Sequence, residues 1–405
     1  MSGWPTGLDA STMTLLHSKR AQMLAFALAA LALVLLPLLV QQVGSGWVRI
    51  MATALLYVLL ALGLNIVVGY AGLLDLGFVA FYAVGAYMVA LLTSPHLAEQ
   101  FAWFAQHFPQ GVHAPLWVVI PLAALLAAVA GVLLGAPVLK LRGDYLAIVT
   151  LGFGEIIRVF MNNLEHPVNI TNGPRGLDRI DPVTFFGFSL GRPLDVPMPW
   201  GEVRVASVTL YYWLFLVLVV ASVVVCRRLE DSRIGRAWMA IREDEIAARA
   251  MGINTRNMKL LAFGMGATFG GVAGAMFASF QGFVSPESFS LMESVMIVAM
   301  VVLGGLGHLP GVILGALLLA ALPEVLRYVA GDIQNLTGGR IDAAILRQLL
   351  IAVAMIAIML MRPRGLWPTP EHGRSAQGDG GTGSRAGGAA GATPSPSGSA
   401  TGGRS

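Results

Sequence analysis

Cysteine is nearly absent from this chain of 405 residues: Cys226 stands alone. An intramolecular disulfide and a cysteine-based metal cage are therefore excluded. Charge is scarce too. Asp, Glu, Lys and Arg make up 12% of the residues, where a soluble globular protein carries about 25%. The histidines are few and scattered, and no pair sits at ligand spacing inside an apolar run. No G-x-x-x-x-G-K-[ST] phosphate loop, H-E-x-x-H pair or nucleophile elbow occurs. These absences exclude a soluble enzyme and a secreted disulfide scaffold, and they argue against an intramembrane enzyme. The net charge of +4 does not point to nucleic acid. We expect no catalytic residue, no metal site and no cofactor in this chain.

What the chain has is apolar length. Hydrophobic residues make up 56% of it, and they gather in runs such as Ala21 to Trp47 that lack Lys, Arg, Asp and Glu. A helical membrane span takes about 20 residues. The pattern predicts an all-α polytopic membrane protein of about ten spans, at 21–41, 47–68, 72–92, 116–139, 144–162, 207–226, 257–281, 290–305, 310–328 and 345–361. The first is too long for a signal-peptide core and ends in no small-residue cleavage site. Gly69, Gly72 and Gly77 interrupt the start of the third, and Gly304, Gly305 and Gly307 end the eighth. Both are candidates for broken or re-entrant helices, which a membrane tolerates where other helices cover them. Residues 1–20 form a short tail and 21–365 the membrane domain. From 366 to 405 the chain is Gly-, Ser- and Ala-rich, a composition that predicts disorder.

The basic residues test this count. Lys19 and Arg20, Lys140 and Arg142, the eight basic residues from Arg227 to Lys259, and Arg362 and Arg364 all fall on one face of a ten-span topology. The opposite short loops, 93–115 and 282–289, have no Lys or Arg. By the positive-inside rule that face is the cytoplasm, with both termini inside, and the loop 163–206 lies outside.

The most informative polar segment is Asp231–Asn257, DSRIGRAWMAIREDEIAARAMGINTRN. Asp231 or Ser232 can cap a helix start, and Gly252 can end it. Glu245 precedes Arg249 by one turn. Trp238, Ile241, Ala248 and Gly252 fall along one stripe interrupted by Glu245, and small residues at 247, 248, 250 and 252 would let another backbone come close. Two uses fit equally: a helix held on the inner lipid surface by its arginines, or a docking helix for another protein.

Several stretches resemble one family. Ala247-Ala248-Arg249-Ala250-Met251-Gly252 is similar to the A-A-x-x-x-G part of the cytoplasmic loop of ABC importer permeases, with Ile246 in the place usually held by Glu. Gly63 to Gly77 followed by Phe81 to Tyr87, Leu141 to Tyr145 with Gly154 to Arg158, Thr171 to Leu177, and Val302 to Gly307 resemble, in order and spacing, branched-chain amino-acid permeases of the LivM type. The resemblance runs from about residue 45 to 367. It implies the transmembrane subunit of an inner-membrane importer. Its partners would be a second, LivH-type permease, two cytoplasmic ATP-binding subunits carrying the ATP and Mg, and a periplasmic substrate-binding protein. Trp238, Ile241, Glu245, Ala247, Ala248 and Gly252 would then seat on an ATPase. Permeases for urea, short amides or other small acids are the neighbouring possibility. A self-sufficient secondary transporter or channel is the rival class, and the docking segment argues against it.

Ionisable groups inside spans are costly and mark candidate function. Glu155 and Arg158, one turn apart, either neutralise each other or meet the ammonium and carboxylate of a zwitterion. Glu293 is either an interfacial residue or a substrate contact. Asp75 either caps the Gly-rich break that contains Gly72 or lies on the substrate path. Asn65 joins helices or contacts substrate. The substrate-path candidates are thus Asn65, Gly72, Asp75, Glu155, Arg158 and Glu293.

Overall fold

Between Ser45 and Asn65 the only charged residue is Arg49, and this run forms most of the best-buried of the span-length helices among the described residues. In the computed structural model it is α2 (Ser45–Asn65), continued by a π turn, Ile66–Tyr70. The structure describes residues 19–336 except 109–110, 140, 142, 167, 186–187 and 199–200, together with scattered positions between 345 and 366. The tail ahead of residue 19, about half of the tenth expected span and the C-terminal tail beyond 366 lie outside the described residues.

The other helices are α1 (Lys19–Val43), α3 (Val79–Thr93), α4 (His96–Gln100), α5 (Ala102–His107), α6 (Leu116–Val138), α7 (Asp144–Asn163), α8 (Ser207–Glu230), α9 (Arg233–Glu243), α10 (Glu245–Ala250), α11 (Thr255–Gln281), α12 (Leu291–Gly304) and α13 (Leu309–Leu336). Among the described residues, seven helices are long and apolar enough to cross a membrane, and Ala30–Gln42 and Val79–Thr93 are shorter apolar helices. They coincide with the first nine expected spans. The third differs in its start. Helix begins at Val79 rather than near 72, because Gly72 adopts φ +69° and residues 71–78 run as irregular chain.

The centre consists of α2 and α11. Glycines and alanines along α11 let neighbouring backbones approach closely. A Cβ on Gly85 of α3 would stand 2.1 Å from the Gly271 carbonyl oxygen, and one on Gly274 2.1 Å from that of Tyr82. On its other side α11 meets α6, where a Cβ on Gly271 would lie 2.6 Å from that of Ala127. The aromatic residues Phe78, Phe81, Tyr82 and Tyr87 are all buried, and Tyr82 packs against Phe277 and Phe289. By contrast α6, α7 and α8 expose apolar side chains, among them Leu133, Ile148 and Val217. Those faces suit lipid or another apolar partner.

The loop 163–206 is more ordered than a connecting loop. It contains two hairpins, β1 (Thr184–Phe185) with β2 (Phe188–Ser189), and β3 (Leu194–Met198) with β4 (Gly201–Val205). Asp195 faces Arg204 across the second. Leu177 and Val284 exchange backbone hydrogen bonds of 2.7 and 2.9 Å, which tie this loop to the chain entering α12.

Candidate functional site

The polar segment between α8 and α11 folds as two helices, not as the single helix its composition suggests. Ser232 caps α9, its Oγ accepting from the Gly235 N–H at 3.1 Å. Asp244 ends α9 in an extended conformation and starts α10, its Oδ1 accepting from the N–H groups of Ile246 (2.8 Å) and Ala247 (3.1 Å). An Asp there satisfies donors that a new helix start leaves open. After α10 the chain turns at Gly252, φ +83°. The N–H of Gly252 reaches the Arg249 carbonyl and that of Ile253 the Ala248 carbonyl, the paired bonds of a Schellman end. Asn254 then caps α11.

Three contacts fasten this segment to α11. Trp238 is fully buried, and its Nε1 donates to the Met258 carbonyl at 2.7 Å. The Glu245 carboxylate accepts from Lys259 Nζ at 2.7 Å and from Arg249 at 3.1 Å. Arg249 also reaches Thr255. Lys259 is nearly buried, so its pairing satisfies a charge that would be costly alone.

The residues of the expected docking stripe divide by burial. Trp238, Ile241 and Ala248 are buried against the protein itself and are not open to a partner. The stripe packs inward because two helices with a kink at Asp244 fold their apolar sides onto the start of α11. What faces outward is the tip: Ala247, Ala250 and Gly252 are exposed, with Ile246 72% and Met251 83% exposed. Neither Ile246 nor Met251 stands among the residues expected from sequence. The available signal was an apolar Ile at the position where the family pattern has Glu.

The span residues fall into separate places. Asn65 lies at the end of α2, and its Oδ1 accepts from the Gly307 N–H at 3.0 Å, joining α2 to the turn between α12 and α13. Glu293 of α12 accepts from the Tyr57 hydroxyl at 2.5 Å. Glu155 and Arg158 pair at 2.5 Å. Arg158 also reaches Glu287 at 3.1 Å, and Asn162 donates to the same carboxylate. Glu287 is 129 residues away in sequence, so no local pattern announces it.

Gly72 and Asp75 lie in the break between α2 and α3. Asp75 is buried, and its Oδ1 accepts from the Gly77 N–H at 2.9 Å. Its Oδ2 has no hydrogen-bond partner among the described residues. The break is held on two sides, by Leu76 N–H donating to Thr150 Oγ1 and by Ser294 Oγ donating to the Leu76 carbonyl. Asp75 lines a narrow cleft whose other walls include Phe81, Leu134, Val138, Phe153 and Phe263.

Comparison with known proteins accords with this architecture. Residues 46–359 match the family described as branched-chain amino acid transport system, permease component. The chain is 43% identical over 335 residues to the high-affinity branched-chain amino acid transport system permease protein LivM of Escherichia coli K12, covering 80% of this chain and 71% of that one. It is 25% identical over 331 residues to a probable LivM of Methanocaldococcus jannaschii, covering 77% and 90%. A shorter match, 30% identical over 142 residues, covers 35% of this chain and 41% of the Escherichia coli permease protein LivH. No solved structure gives a match. This multi-pass membrane protein belongs to the permease-component family of branched-chain amino acid transport systems.

Proposed function

We propose that this chain is the transmembrane subunit of an ATP-driven importer of branched-chain amino acids in the inner membrane. It pairs with a LivH-type permease, receives substrate from a periplasmic binding protein, and is driven by two cytoplasmic ATPases that hold the ATP and Mg. The arginine-rich face, with both termini, is cytoplasmic. The observation that carries this reading is the segment α9–α10: a polar excursion fastened to the central helix α11, with an apolar tip at Ile246 and Met251. The lipid-surface alternative needs the apolar stripe of α9 to be free, and Trp238 and Ile241 are buried. Exposed apolar side chains beside Ala247 and Gly252 suit a cleft on a protein.

Ile246→Glu and Met251→Glu place a carboxylate on this tip without touching the fold, since both positions are mostly exposed. Loss of a central interface contact costs about 2 kcal/mol or more, roughly 30-fold in affinity. Co-purification of the ATPase with either variant should fall accordingly, while membrane insertion and pairing with the second permease stay normal. Parental co-purification with both variants would remove the docking assignment.

For the substrate path we take Asp75. Its buried Oδ2 lacks a partner among the described residues and borders a cleft with apolar walls of about 10 Å³, so the charge suits an ammonium while the cleft must widen to admit the branched side chain. Asn65 and Glu293 are engaged with Gly307 and Tyr57, and Glu155 with Arg158. These pairings favour positioning over substrate contact.

A further inference from the structure

The docking segment reaches the π turn that ends α2 through a hydrogen bond. Arg242, in the last turn of α9, donates from Nη1 to the carbonyl oxygen of Gly69 at 2.5 Å. Gly69 belongs to the π turn that ends α2, where backbone bonds widen: Ala71 N–H reaches Ile66 O and Leu73 N–H reaches Val67 O. Helix ends leave carbonyls unsatisfied and carry partial negative charge, which a guanidinium meets well. The stem of Arg242 lies against the break itself, because a Cβ on Gly72 would stand 2.8 Å from Arg242 Cγ. The guanidinium also borders the turn between α12 and α13, since a Cβ on Gly307 would be 2.9 Å from Nη1. That turn is in its own right bonded to Asn65 of α2 through the Gly307 N–H. One guanidinium thus meets the docking segment, the π turn of α2 and the α12–α13 turn.

We infer that Arg242 is the positioning residue that carries movement of the docking segment into the membrane break bearing Asp75. This rests on the docking assignment above. Trp238 and Glu245 fix the segment to α11, so a shift of the tip moves α9 and α11 together. The helix α11 packs directly on α2, where a Cβ on Gly63 would lie 2.5 Å from Phe269 Cβ, and Arg242 adds to that packing a polar contact from α9 to the π turn. A π turn is a suitable receiver, because its looser bonding is commonly placed at functional sites. A fixed guanidinium fork holds one orientation better than a flexible ammonium.

The test uses the complete importer, with its second permease, ATPases and binding protein, in proteoliposomes. Arg242→Met keeps the stem and deletes the donors, whereas Arg242→Lys keeps a donor and the charge. Coupling between sites is typically worth about 5–150-fold, so Arg242→Met should lower leucine transported per ATP hydrolysed by about tenfold. The same variant should retain the ATPase on co-purification and hydrolyse ATP. Arg242→Lys should recover most of the loss. Parental transport per ATP in Arg242→Met would overturn the proposal, as would equal loss in the Met and Lys variants. Failure of Arg242→Met to assemble would make the residue structural and overturn it as well. A wrong docking assignment shows itself differently, as parental co-purification in Ile246→Glu and Met251→Glu.

Discussion

Two carboxylates in the membrane region stand in opposite situations. Glu155 is bound by Arg158, and its side chain is 42% exposed. Removing its charge leaves Arg158 paired with Glu287. Exposed pairs contribute about 0–1 kcal/mol, so Glu155→Gln should slow leucine uptake by no more than about fivefold. Asp75 is buried with one oxygen open. Losing a buried charged partner to a ligand costs about 2–5 kcal/mol, so Asp75→Asn should cut uptake at least about 30-fold while assembly stays normal. Initial uptake rates in proteoliposomes compare the two directly. Equal rates for the two variants would take Asp75 off the path. Sequence reasoning found both residues from their cost in a span but had no means to rank them. The ranking depends on Glu287, Thr150 and Ser294, which reach the two sites from distant parts of the chain.

At the scale of elements, the central helix is built on absent side chains. The Cβ of an alanine at Gly85 would sit 2.1 Å from the backbone oxygen of Gly271, and neither backbone can yield without separating α3 from α11. Overpacking of this kind costs about 1–3 kcal/mol. Gly152 of α7 is the opposite case, with no atom within 4 Å of an added Cβ. There an alanine relieves glycine's helix penalty of about 1 kcal/mol. Thermal unfolding in detergent should therefore show Gly85→Ala less stable and Gly152→Ala equal to or above the parent. The same sign for both would contradict the packing described. The spans, the break at Gly72 and the capping by Ser232 were legible in sequence, because apolar length, glycine and a capping hydroxyl act locally. The inward turn of Trp238, Ile241 and Ala248 was not. A stripe marks which side of a helix is apolar, but only the neighbouring start of α11 determines what that side meets. The break at Asp244 was not legible for a related reason: within a polar segment it resembles any surface carboxylate until its bonds to Ile246 and Ala247 mark it as a helix start.

Across the whole molecule, the arginine-rich face carries the docking tip, Arg242 and the π turn together, and the break with Asp75 follows directly from that turn. This arrangement joins the place where an ATPase would push to the place where substrate would pass. It also separates an ATP-driven permease from a self-sufficient transporter, for which a fastened external segment with an exposed apolar tip has no use. The most direct measurement is leucine uptake into proteoliposomes that hold this chain with its partner permease, the ATPases and the binding protein, with ATP supplied to one face at a time. The account predicts uptake only when ATP meets the face bearing residues 231–257, and none when the ATPases are omitted. Leucine uptake by this chain without ATPase, driven by an ion gradient alone, would contradict it.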